Sequence, residues 1–165
     1  MNRRKFLGLG LGLGVAAVIT PATMSATDFR ETKPGAWRGP NALKIDTAMT
    51  ELYGTSTTIE SGVKLKAPAI AENGAVVPLT ISSKLAGATV AVFQDANPEA
   101  LVAVYTVPAG GIIEYKLRIK MATTGKVVAV VNVDGKLHSA TKNVKVTAGG
   151  CGGWFNLTYR LATIV

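Results

Sequence analysis

The sequence predicts an all-β fold, an antiparallel β-sandwich of about seven strands with a short N-terminal helix, and three observations predict it. From Ile59 onward, apolar residues recur with a period of two or in runs of five to nine, rich in Val, Ile, Thr and Leu. Turn signals separate these runs: Glu72-Asn73-Gly74, Leu85-Ala86-Gly87, Asp95-Ala96-Asn97-Pro98, Pro108-Ala109-Gly110-Gly111, Thr124-Gly125 and Asp134-Gly135. No helical pattern alternates with the strands, which argues against a parallel α/β sheet. Short strands at regular spacing favour an immunoglobulin-like sandwich, with a small barrel as the competing architecture.

The runs cover 59–66, 75–82, 88–94, 100–107, 112–120, 127–133 and 142–148. Asp134-Gly135 tolerates the positive φ angles of a type I′ turn and predicts a tight hairpin. Pro78 lacks an amide hydrogen, so its strand is expected at a sheet edge or bulge. Before the strands, Pro40-Asn41 opens one short helix. Ile45, Met49, Leu52 and Tyr53 share a face at the i, i+4, i+7, i+8 spacing, and Gly54 is placed to end it. That stripe reads as core cover, packed on the sandwich or on a partner.

The N-terminus reads as an address. Arg3, Arg4 and Lys5 precede a short apolar stretch, Phe6 to Ile19, and a small-residue exit near Ala22 or Ala26. The stretch is shorter than the ~20 residues a membrane span needs. The paired arginines followed by Phe6-Leu7 resemble a twin-arginine signal, although Asn2 and Gly8 depart from its usual residues. The expected organisation is a signal peptide at 1–26 and an exposed lead-in at 27–40. Helix and sandwich follow at 41–148, then a glycine-cysteine arm at 149–153 and a C-terminal tail at 154–165.

Composition bounds the function. The 165 residues are 48% hydrophobic and 17% charged, as expected of a globular chain of one domain. The formal charge is +8, and subtracting Arg3, Arg4 and Lys5 of the leader leaves +5. The lysines are spread through the strands with no basic run and no aromatic platform, so no nucleic-acid partner is expected. His138 is the sole histidine and reads as an exposed strand residue. One Cys and one His cannot build a zinc site, and no glycine pair sits in a strand-to-helix phosphate motif. Asp95 and Glu99 read as turn residues rather than a catalytic carboxylate pair. No catalytic residue, metal or cofactor is expected, and no membrane association after cleavage.

One segment points to chemistry. A strand through Val144-Lys145-Val146-Thr147 runs into Gly149, Gly150, Cys151, Gly152 and Gly153. Glycine adds no packing and loses the most chain entropy on ordering, so such a run is poor core material. Without side chains the backbone becomes thin enough to enter a narrow channel. Two extended glycines set Cys151 roughly 10 Å beyond Ala148, at ~3.3–3.6 Å per residue. A lone thiol in an exported chain suggests either intermolecular pairing, such as a disulfide dimer through Cys151, or reactive function. No charged residue lies within four positions of Cys151. The sequence therefore predicts an ordinary thiol, with a pKa of about 8.5, whose activation comes from a receiving protein.

These residues carry a family resemblance. Gly149-Gly150-Cys151-Gly152-Gly153 after Val144-Lys145-Val146-Thr147 resembles the arm of SoxY, the sulfur carriers of thiosulfate oxidation. The resemblance extends to the stretch Ala67-Pro68-Ala69-Ile70-Ala71-Glu72-Asn73-Gly74-Ala75-Val76-Val77-Pro78, to Asn97-Pro98, and to Leu117-Arg118-Ile119-Lys120-Met121-Ala122. It implies an immunoglobulin-like fold paired with a small β-protein, SoxZ, in the periplasm. It also implies that Cys151 is the substrate-attachment site and that its four glycines form the arm. A haem enzyme, SoxAX, would join thiosulfate to the cysteine. SoxB would release sulfate, and SoxCD, where present, would oxidise the remaining sulfur. The carrier itself would not be an enzyme. The competing readings are an exported thiol oxidoreductase, which lacks a Cys-x-x-Cys pair here, and a disulfide-crosslinked structural sandwich.

The chain departs from that family at its end. Members usually stop at or just after the arm, whereas Trp154 to Val165 follow here, with Phe155, Leu157, Tyr159 and Leu161 alternating. Three accounts stay open: proteolytic removal, docking of the tail as an added strand, or a mistaken reading frame.

Overall fold

A computed structural model describes residues 28–38 and 40–147, with no side chain described for Asn41. The expected signal peptide, arm and tail lie outside the described residues, and so do Gly149, Gly150, Cys151, Gly152 and Gly153.

The described chain opens with α1 (Phe29–Thr32), two short 3-10 turns (Pro34–Ala36 and Pro40–Leu43) and α2 (Ile45–Tyr53). Nine strands follow: β1 (Thr58–Ile59), β2 (Val63–Lys66), β3 (Ile70–Ala71), β4 (Val77–Ser83), β5 (Thr89–Gln94), β6 (Leu101–Thr106), β7 (Ile113–Ile119), β8 (Gly125–Val133) and β9 (Lys136–Val146). They form two sheets. The larger has the order β1-β9-β8-β5-β6, with β3 also pairing β9, and the smaller has the order β2-β4-β7. Two face-packed sheets with mainly antiparallel neighbours make the predicted immunoglobulin-like sandwich.

The expected run at 59–66 is two strands. Gly62 takes a φ of +74°, which lets the chain leave the larger sheet after β1 and enter the smaller one as β2. The hairpin at Asp134-Gly135 is present, with φ angles of 48° and 84°. Its return strand begins at Lys136 rather than 142, because Leu137, Ser139 and Val144 are buried along one continuous strand. Pro78 lies on the central strand of its sheet, not on an edge. The cost is avoided locally: β2 pairs β4 only from Thr80 to Ser83, so Pro78 faces a single neighbour, Arg118 on β7.

The core has two compartments. Between the sheets pack Leu65, Val77, Leu79, Ile81, Val90, Val92, Ile113, Ile119, Val127, Ala129, Val131 and Val144. On the other side of the larger sheet, Ala91, Phe93, Leu101, Val128, Val130 and Leu137 meet Ala36, Trp37, Ile45, Ala48, Met49 and Leu52. This explains why β5 and β8 read as apolar runs rather than alternations: both of their faces are covered. The stripe of α2 is therefore core cover for the sandwich itself. Gly54 ends α2 at φ +81°, donating its N–H to the Thr50 carbonyl at 2.7 Å. Residues 27–40, expected to be an exposed lead-in, instead bury Ala36 and Trp37, at 0% and 6% exposure. Arg30 lies over the Trp37 ring, 5.2 Å from its centroid. The aromatic and apolar content of this segment was too sparse to show period.

Candidate functional site

β9 carries the chain toward the arm, so the end of β9 is the root of any site at Cys151. Both edges of its last turn of backbone are held. On one edge β3 pairs in parallel, Ile70 with Lys145 and Ala71 with Val146. The Lys145 N–H donates to the Ala69 carbonyl at 2.9 Å, and the Thr147 N–H donates to the Ala71 carbonyl at 3.1 Å. On the other edge, the ladder to β8 stops at Gly125 opposite Val144. The Thr124 hydroxyl takes over there. It accepts from the Val146 N–H at 3.0 Å and lies 3.4 Å from the Val146 carbonyl oxygen. The root is thus held as far as Thr147.

Neighbouring loops brace it. The segment after β3 crosses from the larger sheet to the smaller one against Val146. A Cβ on Gly74 would strike the Met121 carbonyl oxygen and come within 2.9 Å of a Val146 methyl. Only glycine permits that approach. The Met121 N–H donates to the Gly74 carbonyl at 2.8 Å. Asn97 bridges the end of β7 to the next loop, donating from Nδ2 to the Lys120 carbonyl and accepting the Ala122 N–H at Oδ1, both at 2.8 Å. Asp95 accepts the Lys126 N–H at 2.6 Å, and the buried Gln94 side chain bonds the Glu99 carbonyl and the Ala96 N–H, each at 2.7 Å. Asp95 and Glu99 are therefore turn residues, as expected.

Thr124, Ala71, Gly74 and Asn97 were not singled out from the sequence as parts of the site. Thr124-Gly125 showed as a turn signal, and Ala71, Gly74 and Asn97 showed in turn signals or in the stretches that carry the family resemblance, with no role attached. Nothing in a turn signal says which strand end it braces.

Among the described residues, no catalytic group is assembled at this end. Exposed Glu72, Asp95, Lys120, Lys126 and Lys145 put both signs of charge at this end. His138 sits near the start of β9, roughly 26 Å from Val146 at about 3.3 Å per residue. It is half-buried rather than exposed, paired with Val131 on β8 and Ile59 on β1, with Nδ1 3.4 Å from the Ser61 hydroxyl. Two shallow grooves of about 430 and 470 Å³ flank β6, sharing Arg30 and Val102. Val102 is the extra residue of a bulge in the β5–β6 pairing. Among the described residues no group of three or more His, Cys, Asp or Glu could hold a metal ion. No helix among them is long and apolar enough to cross a membrane.

Comparison with known proteins identifies the architecture. The family described as sulfur oxidation protein SoxY matches residues 49–151, a span that includes Cys151. Among solved structures, the sulfur carrier protein SoxY from Chlorobium limicola f thiosulfatophilum is 39% identical. The match covers 64% of this chain and 97% of that one, with a TM-score of 0.58. A superoxide reductase (neelaredoxin) from Ignicoccus hospitalis also matches, at 15% identity and a TM-score of 0.43 over 53% of this chain and 81% of that one. No curated protein matches the chain.

Proposed function

Because the chain belongs to the SoxY family of sulfur oxidation proteins, we propose that it is a periplasmic carrier for thiosulfate oxidation, holding sulfur covalently on Cys151. The observation that carries the proposal is the junction at Thr147. A strand end bonded on both edges leads into a stretch with four glycines around the chain's single cysteine. A firm root with a side-chain-free continuation suits delivery of a thiol to other proteins. Export by the twin-arginine route is supported by Arg3-Arg4-Lys5-Phe6-Leu7 and the apolar stretch after them.

In the chemistry we propose, the Cys151 thiolate and thiosulfate form a sulfur–sulfur bond. The two electrons released pass to a haem acceptor in a SoxAX-type partner. The product is a cysteine S-thiosulfonate. Water then cleaves its terminal S–SO₃ bond in a SoxB-type hydrolase. Sulfate and two protons leave, and a persulfide stays on Cys151 for a SoxCD-type dehydrogenase, where one is present, to oxidise. In this reading the carrier supplies position rather than catalysis, in keeping with a sequence that has no charged residue within four positions of Cys151. A SoxZ-like β-protein is the proposed structural partner, and no resident cofactor is needed.

Intact-mass analysis of the exported protein during thiosulfate oxidation tests this. We expect sulfur adducts confined to Cys151, with Cys151→Ser carrying none and losing all thiosulfate-dependent turnover. Adduct-free wild-type protein throughout turnover would sink the reading. So would an active Cys151→Ser variant.

A further inference from the structure

We propose that Thr124 is a positioning residue: its hydroxyl serves as the last rung of the β8–β9 ladder and so fixes the point from which the chain continues toward Cys151. The inference rests on the carrier reading and adds the residue that sets how far, and from where, the thiol is presented.

The register shows why a substitute rung is needed. β8 and β9 pair antiparallel as far as Gly125 opposite Val144, so Val146 would next face Thr123. The chain before β8 turns away instead. A Cβ on Gly125 would strike the Asp95 carboxylate and crowd Ala96, and the Thr123 hydroxyl donates to the Ala96 carbonyl at 3.4 Å. Val146 therefore has no backbone partner on its β8 side. The Thr124 hydroxyl meets both of its polar groups, accepting from the N–H at 3.0 Å and donating to the carbonyl across 3.4 Å. A hydroxyl can do this because it carries a donor and two acceptor lone pairs on one atom. The branched Cβ of threonine restricts χ1 and lowers the entropy lost in holding it there.

The consequence is one of length. With this clasp every residue from Val144 to Thr147 is bonded. Val144 lies in the β8 ladder, Lys145 and Thr147 donate to carbonyls of Ala69 and Ala71, and Val146 donates to Thr124. From Thr147 to Cys151 an extended chain spans at most ~14 Å, four residues at ~3.3–3.6 Å each. Without the clasp, residues 145–147 depend on β3 alone, a strand of 2 residues. Their release would move the last anchor back to Val144 and stretch that span to ~23–25 Å. The effective concentration of a tethered group falls as roughly the −3/2 power of tether length, so going from four residues to seven lowers it about twofold.

Thr124→Val keeps the shape of the side chain and removes the hydroxyl, whereas Thr124→Ser keeps the hydroxyl. Thr124 is exposed, so thermal melting of both variants should match the parent. Hydrogen exchange at the Val146 amide, resolved by NMR, reads the clasp. Thiosulfate-dependent cytochrome reduction in a carrier-depleted periplasmic extract of the source organism, restored with purified carrier, reads presentation. In Thr124→Val we expect Val146 to exchange roughly tenfold faster, as loss of one protecting hydrogen bond implies, with Val130 in the middle of β8 unchanged. KM for the carrier should rise about twofold or more with kcat retained. The rate at which the small disulfide reagent DTNB reacts with Cys151 should stay at the parental value. Thr124→Ser should return both exchange and KM to those of the parent. Unchanged Val146 exchange in Thr124→Val overturns the clasp. Faster exchange with a parental KM overturns the positioning role and leaves the carrier reading standing, and so does a Thr124→Ser variant that fails to rescue. Thiosulfate-dependent turnover by Cys151→Ser would instead overturn the carrier reading.

Discussion

Tyr53 closes α2 against the larger sheet, with its hydroxyl 3.1 Å from that of Thr89 on β5. Burial penalises the phenolate and pushes its pKa up from 10 to about 12, while the Thr89 hydrogen bond pulls weakly the other way. Between about pH 10 and 12 the unfolded chain has lost this proton and the folded one keeps it. Stability from Tyr53 is therefore intact below pH 10 and falls as pH rises toward 12, by at most about 2–3 kcal/mol. Denaturant titrations across that window should show a shallower decline for Tyr53→Phe than for the parent; parallel curves would refute the coupling. At the same scale, Gly74 and Thr124 do different work from what their turn signals implied. One clears space for Val146, and the other replaces the ladder partner that β8 no longer supplies.

α2 and β9 are the elements that matter most. α2 carries Met49, Ala48, Ile45 and Leu52 into a compartment closed by Phe93, Val128 and Val130. Met49→Ala leaves a cavity in that compartment, which costs about 2–5 kcal/mol. It should lower the denaturant midpoint without changing DTNB reactivity at Cys151, because the cover lies on the outer face of the sheet and the root is held by β3 and Thr124. An equal rise in thiol reactivity would show that cover and root are coupled. β9 is long because it serves two roles along its free edge. β1 pairs near its start and β3 near its end, with the intervening β2 diverted into the other sheet. That diversion at Gly62 is why a single apolar run from 59 to 66 became two strands.

Across the whole molecule, three layers stack in order: the small sheet, the large sheet and the helical cover. β9 ends at one end of this stack, and the Asp134-Gly135 hairpin that begins it lies at the other. Residues 154–165 lie outside the matched family span of 49–151, and their alternating apolar residues are a liability when exposed. Truncation after Gly153 should preserve or raise thiosulfate-dependent turnover of the purified carrier. A clear loss would show that the tail contributes to function.

Period-two patterning, turn residues and the glycine-cysteine run are local, so fold class, most strand positions, the α2 stripe and the candidate thiol were legible in the chain alone. Short strands were not. β3 is two residues long and exists only because Ala69 and Ala71 offer carbonyls to β9. Whether Pro78 sits at an edge depends on where β2 stops, and whether Trp37 is buried depends on what faces it. The bracing of Val146 by Thr124 and Gly74 and the pairing of Ile70 with Lys145 join segments far apart in the chain. Hydrogen bonds and close approaches of that kind leave no periodic trace, and only folding brings their partners together.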